Sequence, residues 1–184
     1  MMIKTKRLTI RRATEDDAET FARWWADGKH MEHAGFPRGI TTDIEALKKR
    51  LRASNPDNQL CVIESETHQP IGELSAYRKG SGMMIGIKLV GPTHQNKGLG
   101  TEALQAFITW LFEHHAIDHL ALDTMIENTR AQAVYERLGF VKQGINKDCW
   151  TDQLGRLRTA VDYRLTRQRY QSLPWVRAHA QPNS

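Results

Sequence analysis

Met83-Met84-Ile85-Gly86-Ile87-Lys88-Leu89-Val90 runs directly into Gly91-Pro92-Thr93-His94-Gln95-Asn96-Lys97-Gly98-Leu99-Gly100-Thr101-Glu102-Ala103-Leu104, and this junction decides the reading of the chain. The first run is apolar and strand-like. The second is a glycine-bearing turn that opens a helix, because Leu99, Ala103, Ala106, Phe107, Trp110 and Leu111 recur with a helical period. Strand, turn and helix in that order gather several backbone N–H groups at one spot. The first turn of a helix has donors without intrahelical partners, and the macrodipole adds partial positive charge. A phosphate or diphosphate fits such a place. Gly98 and Gly100 let an anion approach the backbone, and Lys97 adds charge at the rim. The turn is not a P-loop, since no Gly-Lys-Ser/Thr follows, and it lacks the third glycine of the dinucleotide fingerprint.

A second marked segment lies downstream, Asn128-Thr129-Arg130-Ala131-Gln132-Ala133-Val134-Tyr135-Glu136-Arg137-Leu138-Gly139-Phe140. Asn128 is a good helix N-cap, and Gly139 sits where a helix C-terminus favours a left-handed residue. Together, Gln95 to Gly100 and Asn128 to Phe140 resemble the paired signature of the GNAT family of N-acetyltransferases, which bind acetyl-CoA. Arg7-Leu8, the run Phe21-Ala22-Arg23-Trp24-Trp25-Ala26-Asp27 and Ile71-Gly72 resemble the branch containing ribosomal-protein alanine acetyltransferases, with some similarity to aminoglycoside 6′-acetyltransferases. The resemblance covers residues 2 to about 165. Domain limits of 1–166 for the N-acetyltransferase domain and 167–184 for a C-terminal tail are expected.

The chain has 184 residues, 40% of them hydrophobic, which suits one soluble domain with a substantial core. No apolar run is long enough to cross a bilayer, and the start, Met1-Met2-Ile3-Lys4-Thr5-Lys6, is not a secretory signal. Cys61 and Cys149 are isolated from each other and from histidine pairs, so no metal site is expected, and two lone thiols fit a cytoplasmic protein. The net charge of +5 comes from basic residues interleaved with acids. Attraction for an anionic coenzyme accounts for it, and nucleic-acid binding is disfavoured.

Element by element, Ile3 to Arg12 reads as a strand, and Thr14-Glu15-Asp16-Asp17 starts a helix running to about Gly28. Lys29 to Ile40 reads as loop; Thr42 or Asp43 caps a second helix. Strands follow at Leu60 to Ile63, Ile71 to Tyr77 and Met83 to Val90. After the long helix come a strand at His119 to Ile126, the helix of the second motif, and strands at Phe140 to Trp150 and Leu157 to Leu165. From Thr166 the apolar pattern fades into a loosely held tail. The expected fold is α/β with α+β mixing: a mostly antiparallel, twisted sheet flanked by helices, as the resemblance also implies.

The resemblance implies a site. Leu89 and Val90 would pair through their backbone with the pantetheine arm, and the segment Gln95, Asn96, Lys97, Gly98, Leu99, Gly100 and Thr101 would hold the diphosphate. Asn128 would contact the coenzyme arm, and Tyr135 would sit beside the thioester sulfur. A phenol of pKa ~10 is a suitable proton donor to a thiolate whose thiol pKa is near 8.5. Many relatives carry a glutamate on the strand before the phosphate loop; here that position is Met84. Glu73 on the preceding strand is the first candidate base, and Asp123 and His94 are further ones. Trp25, His33, Phe36 and Glu73 are candidates for the acceptor pocket.

A lysine at pKa ~10.4 costs roughly 4–5 kcal/mol to deprotonate at pH 7, whereas an α-amine near 7.8 costs about one. An acceptor of low pKa, such as a protein N-terminus, suits a chain without the glutamate. The expected activity is acetyl-CoA-dependent transfer to a primary amine by direct attack, the acceptor being a protein N-terminus or a small amine. An aminoglycoside-type enzyme and a non-catalytic acyl-CoA-binding module are the alternatives. Partners would be the small-molecule or peptide acceptor, in a monomer or homodimer, with no membrane association.

Overall fold

The computed structural model describes residues 1–94 and 97–179. The expected first strand is in fact a hairpin. β1 (Met2–Lys4) pairs antiparallel with β2 (Leu8–Arg12), Ile3 opposite Ile10. Thr5 makes the turn: its N–H donates to the Leu8 carbonyl, and its Oγ1 accepts from the Leu8 N–H. Short hydroxyl-to-backbone bonds of this kind compete with a continuous strand.

A 3₁₀ turn at Glu15–Asp17 precedes α1 (Ala18–Ala26), which stops at Asp27. Asp27 is extended and its carboxylate accepts from the Lys29 N–H, so it caps a further short helix, α2 (Gly28–Met31), followed by a 3₁₀ turn at Glu32–Ala34. The region expected to be loop from Lys29 to Ile40 is therefore partly helical, and the first helix is shorter than expected. α3 (Ile44–Arg52) is capped by Asp43, which accepts from the Glu45 and Ala46 amides.

A meander of β3 (Asn58–Ser65), β4 (Pro70–Lys79) and β5 (Gly82–Leu89) leads to α4 (Leu99–His114). Then come β6 (His119–Met125), α5 (Thr129–Arg137), β7 (Val141–Thr151) and β8 (Leu157–Thr166). Among the described residues the eight strands form one sheet in the order β1-β2-β3-β4-β5-β6-β8-β7, antiparallel throughout except between β5 and β6. The mixed, mostly antiparallel α/β fold agrees with expectation.

That parallel pair positions the site. β5 and β6 are in register only at Met83 with Leu120 and Met84 with Ala121. Past Met84 the strands diverge, β5 staying with β4 and β6 with β8. The sheet is split into a V whose inner edges have no strand partner among the described residues.

Each face of the sheet buries its own cluster. On one, Met83 and Ile85 of β5 and Leu120 and Leu122 of β6 pack with Leu104, Phe107, Ile108 and Leu111 of α4, and with Tyr135 and Leu138 from the α5 segment. On the other, Val62 and Leu60 of β3 pack with Phe21, Trp24, Leu47 and Leu51 of α1 and α3. Side chains alternate across a strand, so Gly86 and Lys88 of β5 and Asp123 of β6 belong to the α1–α3 face.

Residues 167–179 are not loosely held. α6 (Arg167–Ser172) and α7 (Pro174–His179) are anchored through Tyr170, which is buried and stacks on Phe112 with ring centroids 4.6 Å apart. Arg167 donates to the carbonyls of Phe112, His115 and Ile117 at 2.7–2.9 Å. Leu173, Trp175 and Val176 pack on the same core, and Arg169 Nε donates to the Gly139 carbonyl at 2.6 Å.

Candidate active site in the split sheet

A cleft of about 1600 Å³ occupies the V and continues to the N-terminus of α4. The end at α4 is lined by Gly91, His94, Gly98, Leu99, Gly100, Thr101 and Arg7. Gly98, at φ +76°, is the left-handed hinge on which the loop becomes helix, and among the described residues no side chain caps the first turn of α4. α3 and α5, by contrast, are capped by Asp43 and Asn128. Among the described residues the leading amides of α4 therefore lack a side-chain acceptor at the edge of the cleft, a place suited to an anion. A Cβ on Gly100 would sit 3.4 Å from the Leu89 side chain, so the helix start lies hard against the end of β5. Gln95 and Asn96 lie outside the described residues. Lys97 flanks the cleft, and its carbonyl accepts from Arg7 Nη1 at 2.9 Å.

The middle of the cleft is the V itself. Ile85, Gly86, Ile87 and Leu89 line one arm, and Asp123, Thr124 and Met125 the other. Asn128, Ala131, Val134, Tyr135 and Leu138 close the α4–α5 side. Asn128 Oδ1 accepts the Ala131 amide at 3.2 Å, so it is a cap and a cleft residue together. Tyr135 is buried, with Tyr163 edge-on at 5.8 Å, and its hydroxyl has no hydrogen bond to a described residue. Burial, then the charges of Asp123 and Tyr163, push its phenol up to about 12, so it remains protonated at neutral pH. Asp123 stands directly across the strand pair from Asp162, whose carboxylate is held by Asn146 Nδ2 at 2.7 Å. Desolvation first, and then the Asp162 charge, raise the Asp123 carboxyl above its ordinary range.

Met84, where relatives often have glutamate, is the last β5 residue still paired with β6 and does not line the cleft. Glu73 requires a correction. It is neither solvent-facing nor part of the cleft wall: it is buried, with Lys88 Nζ at 2.6 Å from Oε1 and Trp25 Nε1 at 2.8 Å from Oε2. Both carboxylate oxygens are engaged, which opposes a role as free base. Trp25 is correspondingly turned onto Glu73 and away from the cleft, and Phe36 also lies outside it. Val90 leaves the cleft as well, because its side chain packs on the α1–α3 cluster while its N–H bonds Ile71.

Of the acceptor candidates, His33 alone lines the cleft, beside Asp27, Lys29, His30 and Ala34 from the α2 region. His30 Nε2 is buried without a described partner, and burial together with the Lys88 charge outweighs the opposing carboxylates to lower its pKa. Opposite stands Trp150 of β7, which sequence reading passed over as one of a strand's aromatics. Its indole fills the space a Cβ would occupy on Gly35. Gln153, in the β7–β8 turn, fastens the same segment: its N–H donates to the Gly35 carbonyl, its Nε2 to Gly39, and its Oε1 accepts the Arg38 amide, all within 2.8–2.9 Å. The hairpin and the 27–39 segment thus close the end of the cleft away from α4.

A sequence model of the acetyltransferase (GNAT) domain matches residues 7–141. The chain belongs to the GNAT acetyltransferase family. It is an N-acetyltransferase that uses acetyl-CoA. The sequence is 26% identical over 178 residues to the Bacillus licheniformis protein called uncharacterized N-acetyltransferase p20, spanning 90% of this chain and 96% of that one. Spermidine N-acetyltransferase from Vibrio cholerae, solved with CoA and spermine, superposes with a TM-score of 0.81 at 17% identity, covering 91% of this chain and 100% of that one. RimL, a ribosomal-protein α-N-acetyltransferase solved with coenzyme A, superposes with a TM-score of 0.78 at 18% identity, covering 90% and 98%. At these identities the structural likeness speaks for the fold. The cleft of this GNAT chain fits the coenzyme: an uncapped helix start for a diphosphate, an unpaired strand edge for an amide-bearing arm, and a buried phenol at the far end. Among the described residues no helix is long and apolar enough to cross a membrane.

Proposed function

We propose that the enzyme acetylates a primary amine of low pKa, with a peptide α-amine as the preferred acceptor, by direct transfer between two groups that face each other across the V. The observation carrying this reading is the placement of Asp123 on the α1–α3 face and Tyr135 on the α4–α5 face, close enough that the aspartate's charge perturbs the phenol. Acetyl-CoA supplies the activated acetyl thioester. The amine enters between the α2 region and Trp150, and Asp123 takes its proton as nitrogen bonds to the carbonyl carbon. Tyr135 gives its proton to the sulfur as the C–S bond breaks, and protons exchanged with solvent restore both groups.

Two features support the acceptor class. A carboxylate, even one with a raised pKa, is a weak base toward a lysine ammonium, so an amine already partly neutral at pH 7 is favoured. The cleft also lacks a thiol nucleophile: Cys61 is fully buried with its pKa pushed up to about 12, and Cys149 lies outside the lining. That absence favours attack by the amine itself over a cysteine-borne acetyl group.

The test is turnover with acetyl-CoA against an alanyl peptide, the same peptide with a blocked N-terminus and a free lysine side chain, spermidine, and an aminoglycoside, read by thiol release and by mass. The peptide with a free α-amine should give the highest kcat/KM. Preference for spermidine, aminoglycoside or lysine would reject the acceptor class, and coenzyme binding without turnover of any amine would favour a non-catalytic module.

A further inference from the structure

Arg7 entered the sequence reading only as part of a branch signature, and the transfer chemistry does not use it. It nonetheless lines the cleft, at the α4 end. The β1–β2 turn carries it across to α4, where it makes two kinds of contact. Its Nε and Nη2 both reach Glu102 Oε2 at 2.7 Å, while its own N–H and Thr5 Oγ1 donate to Oε1 at 2.9 and 2.6 Å. Its Nη1 donates to the Lys97 carbonyl at 2.9 Å.

Glu102 is otherwise a liability. It stands in the first turn of α4, where a diphosphate would lie, and an unpaired carboxylate there would repel that ligand. Burial opposes its ionisation, yet the bonds from Thr5 and Arg7 prevail and keep its pKa below the ordinary value, so the charge is present and is balanced. The Lys97 contact acts on geometry. A trans peptide carries its C=O and N–H on opposite sides, so fastening the Lys97 carbonyl fixes the direction of the Gly98 N–H at the left-handed hinge.

We infer that Arg7 is a positioning residue for the coenzyme diphosphate, acting through Glu102 by neutralising its charge and through Lys97 by orienting the Gly98 amide. This rests on the reading that the diphosphate lies on the start of α4. The consequence is specific to donors that carry a diphosphate. S-acetylpantetheine, which keeps the thioester and lacks the diphosphate, gains nothing from Arg7.

The experiment measures kcat and KM for acetyl-CoA and for S-acetylpantetheine, with one fixed amine, in wild type, Arg7→Ala, Arg7→Lys, and Arg7→Ala combined with Glu102→Gln. Arg7→Ala should raise the KM for acetyl-CoA about tenfold or more, leaving kcat at saturation and the KM for S-acetylpantetheine within about threefold. Arg7→Lys, which restores charge without the fork, should fall between. Adding Glu102→Gln to Arg7→Ala should recover part of the acetyl-CoA affinity, because it removes the charge Arg7 balanced. A role confined to folding would weaken both donors alike and show no recovery. Equal losses with the two donors, or an unchanged KM for acetyl-CoA in Arg7→Ala, would overturn the inference. If Arg7→Ala does not fold, the comparison of Arg7→Lys with wild type on the two donors decides by the same criterion. Equal wild-type KM values for the two donors would instead show that the diphosphate is not held at α4, and the inference would fall with that reading.

Discussion

At the end proposed for the diphosphate, the described lining residues Gly91, His94 and Gly98 to Thr101 come from one stretch of chain, with Arg7 reaching it from the β1–β2 turn. At the end proposed for the acceptor it is lined by Asp27, Lys29, His30, His33 and Ala34 from the α2 region and by Trp150 of β7, far apart in the chain. The first end recognises its ligand mostly through backbone amides and the field of a helix start, so its demand on sequence is for glycine and for an absent cap. The second works through side chains brought together by the sheet, and its wall is fastened by long-range bonds such as Gln153 to Gly35, Arg38 and Gly39. A generic anion requires the one; a particular amine requires the other.

If the two ends meet at Asp123 and Tyr135, the largest effect of any substitution belongs at the meeting point. Tyr135→Phe should lower kcat about 10²–10³-fold with the affinity for acetyl-CoA within about threefold, measured by steady-state kinetics and equilibrium binding. A large change in coenzyme affinity would instead assign the residue to the phosphate side. Asp123→Asn should follow, with kcat/KM for the amine down about 10–10²-fold. In wild type the base form of Asp123 is populated above its raised pKa, so activity should fall as pH drops through that value, and Asp123→Asn should lose this acid limb. An acid limb that persists in Asp123→Asn and disappears in Glu73→Gln would return the role to Glu73.

Smaller effects separate the two ends. Trp150→Ala removes the acceptor wall and should raise the KM for the amine about tenfold, with the KM for acetyl-CoA unchanged. Equal changes in both would mean that the two ends are not independent. Glu73→Gln breaks an ion pair buried on the carboxylate side and should cost about 1–3 kcal/mol of stability, read as a melting point lower by several degrees, with kcat reduced only a few-fold.

The same contrast explains what could be read from the chain. The turn into α4 and the ends of α5 were legible because their signals are local: Gly98, Gly100 and the period of α4 lie within one short stretch, and Asn128 and Gly139 bracket α5 by rules that need no tertiary context. Strand alternation likewise yielded the mixed sheet. The acceptor end was not legible. Glu73 reads as a candidate base until Lys88 and Trp25 are placed against it, and Trp150 reads only as the end of a strand until Gly35 is seen beneath its ring. Arg7 and Glu102 are far apart in the chain, and no periodicity links them. The break at Asp27 was missed because an aspartate that both ends one helix and caps the next looks, in sequence, like a residue of either.

A crystal structure with coenzyme A bound is the most direct test. The account predicts the diphosphate on the amides of Gly98 to Thr101 and the sulfur within about 4 Å of the Tyr135 hydroxyl, inside the opening between β5 and β6. A sulfur lying outside that opening, or a diphosphate held away from the start of α4, would contradict it.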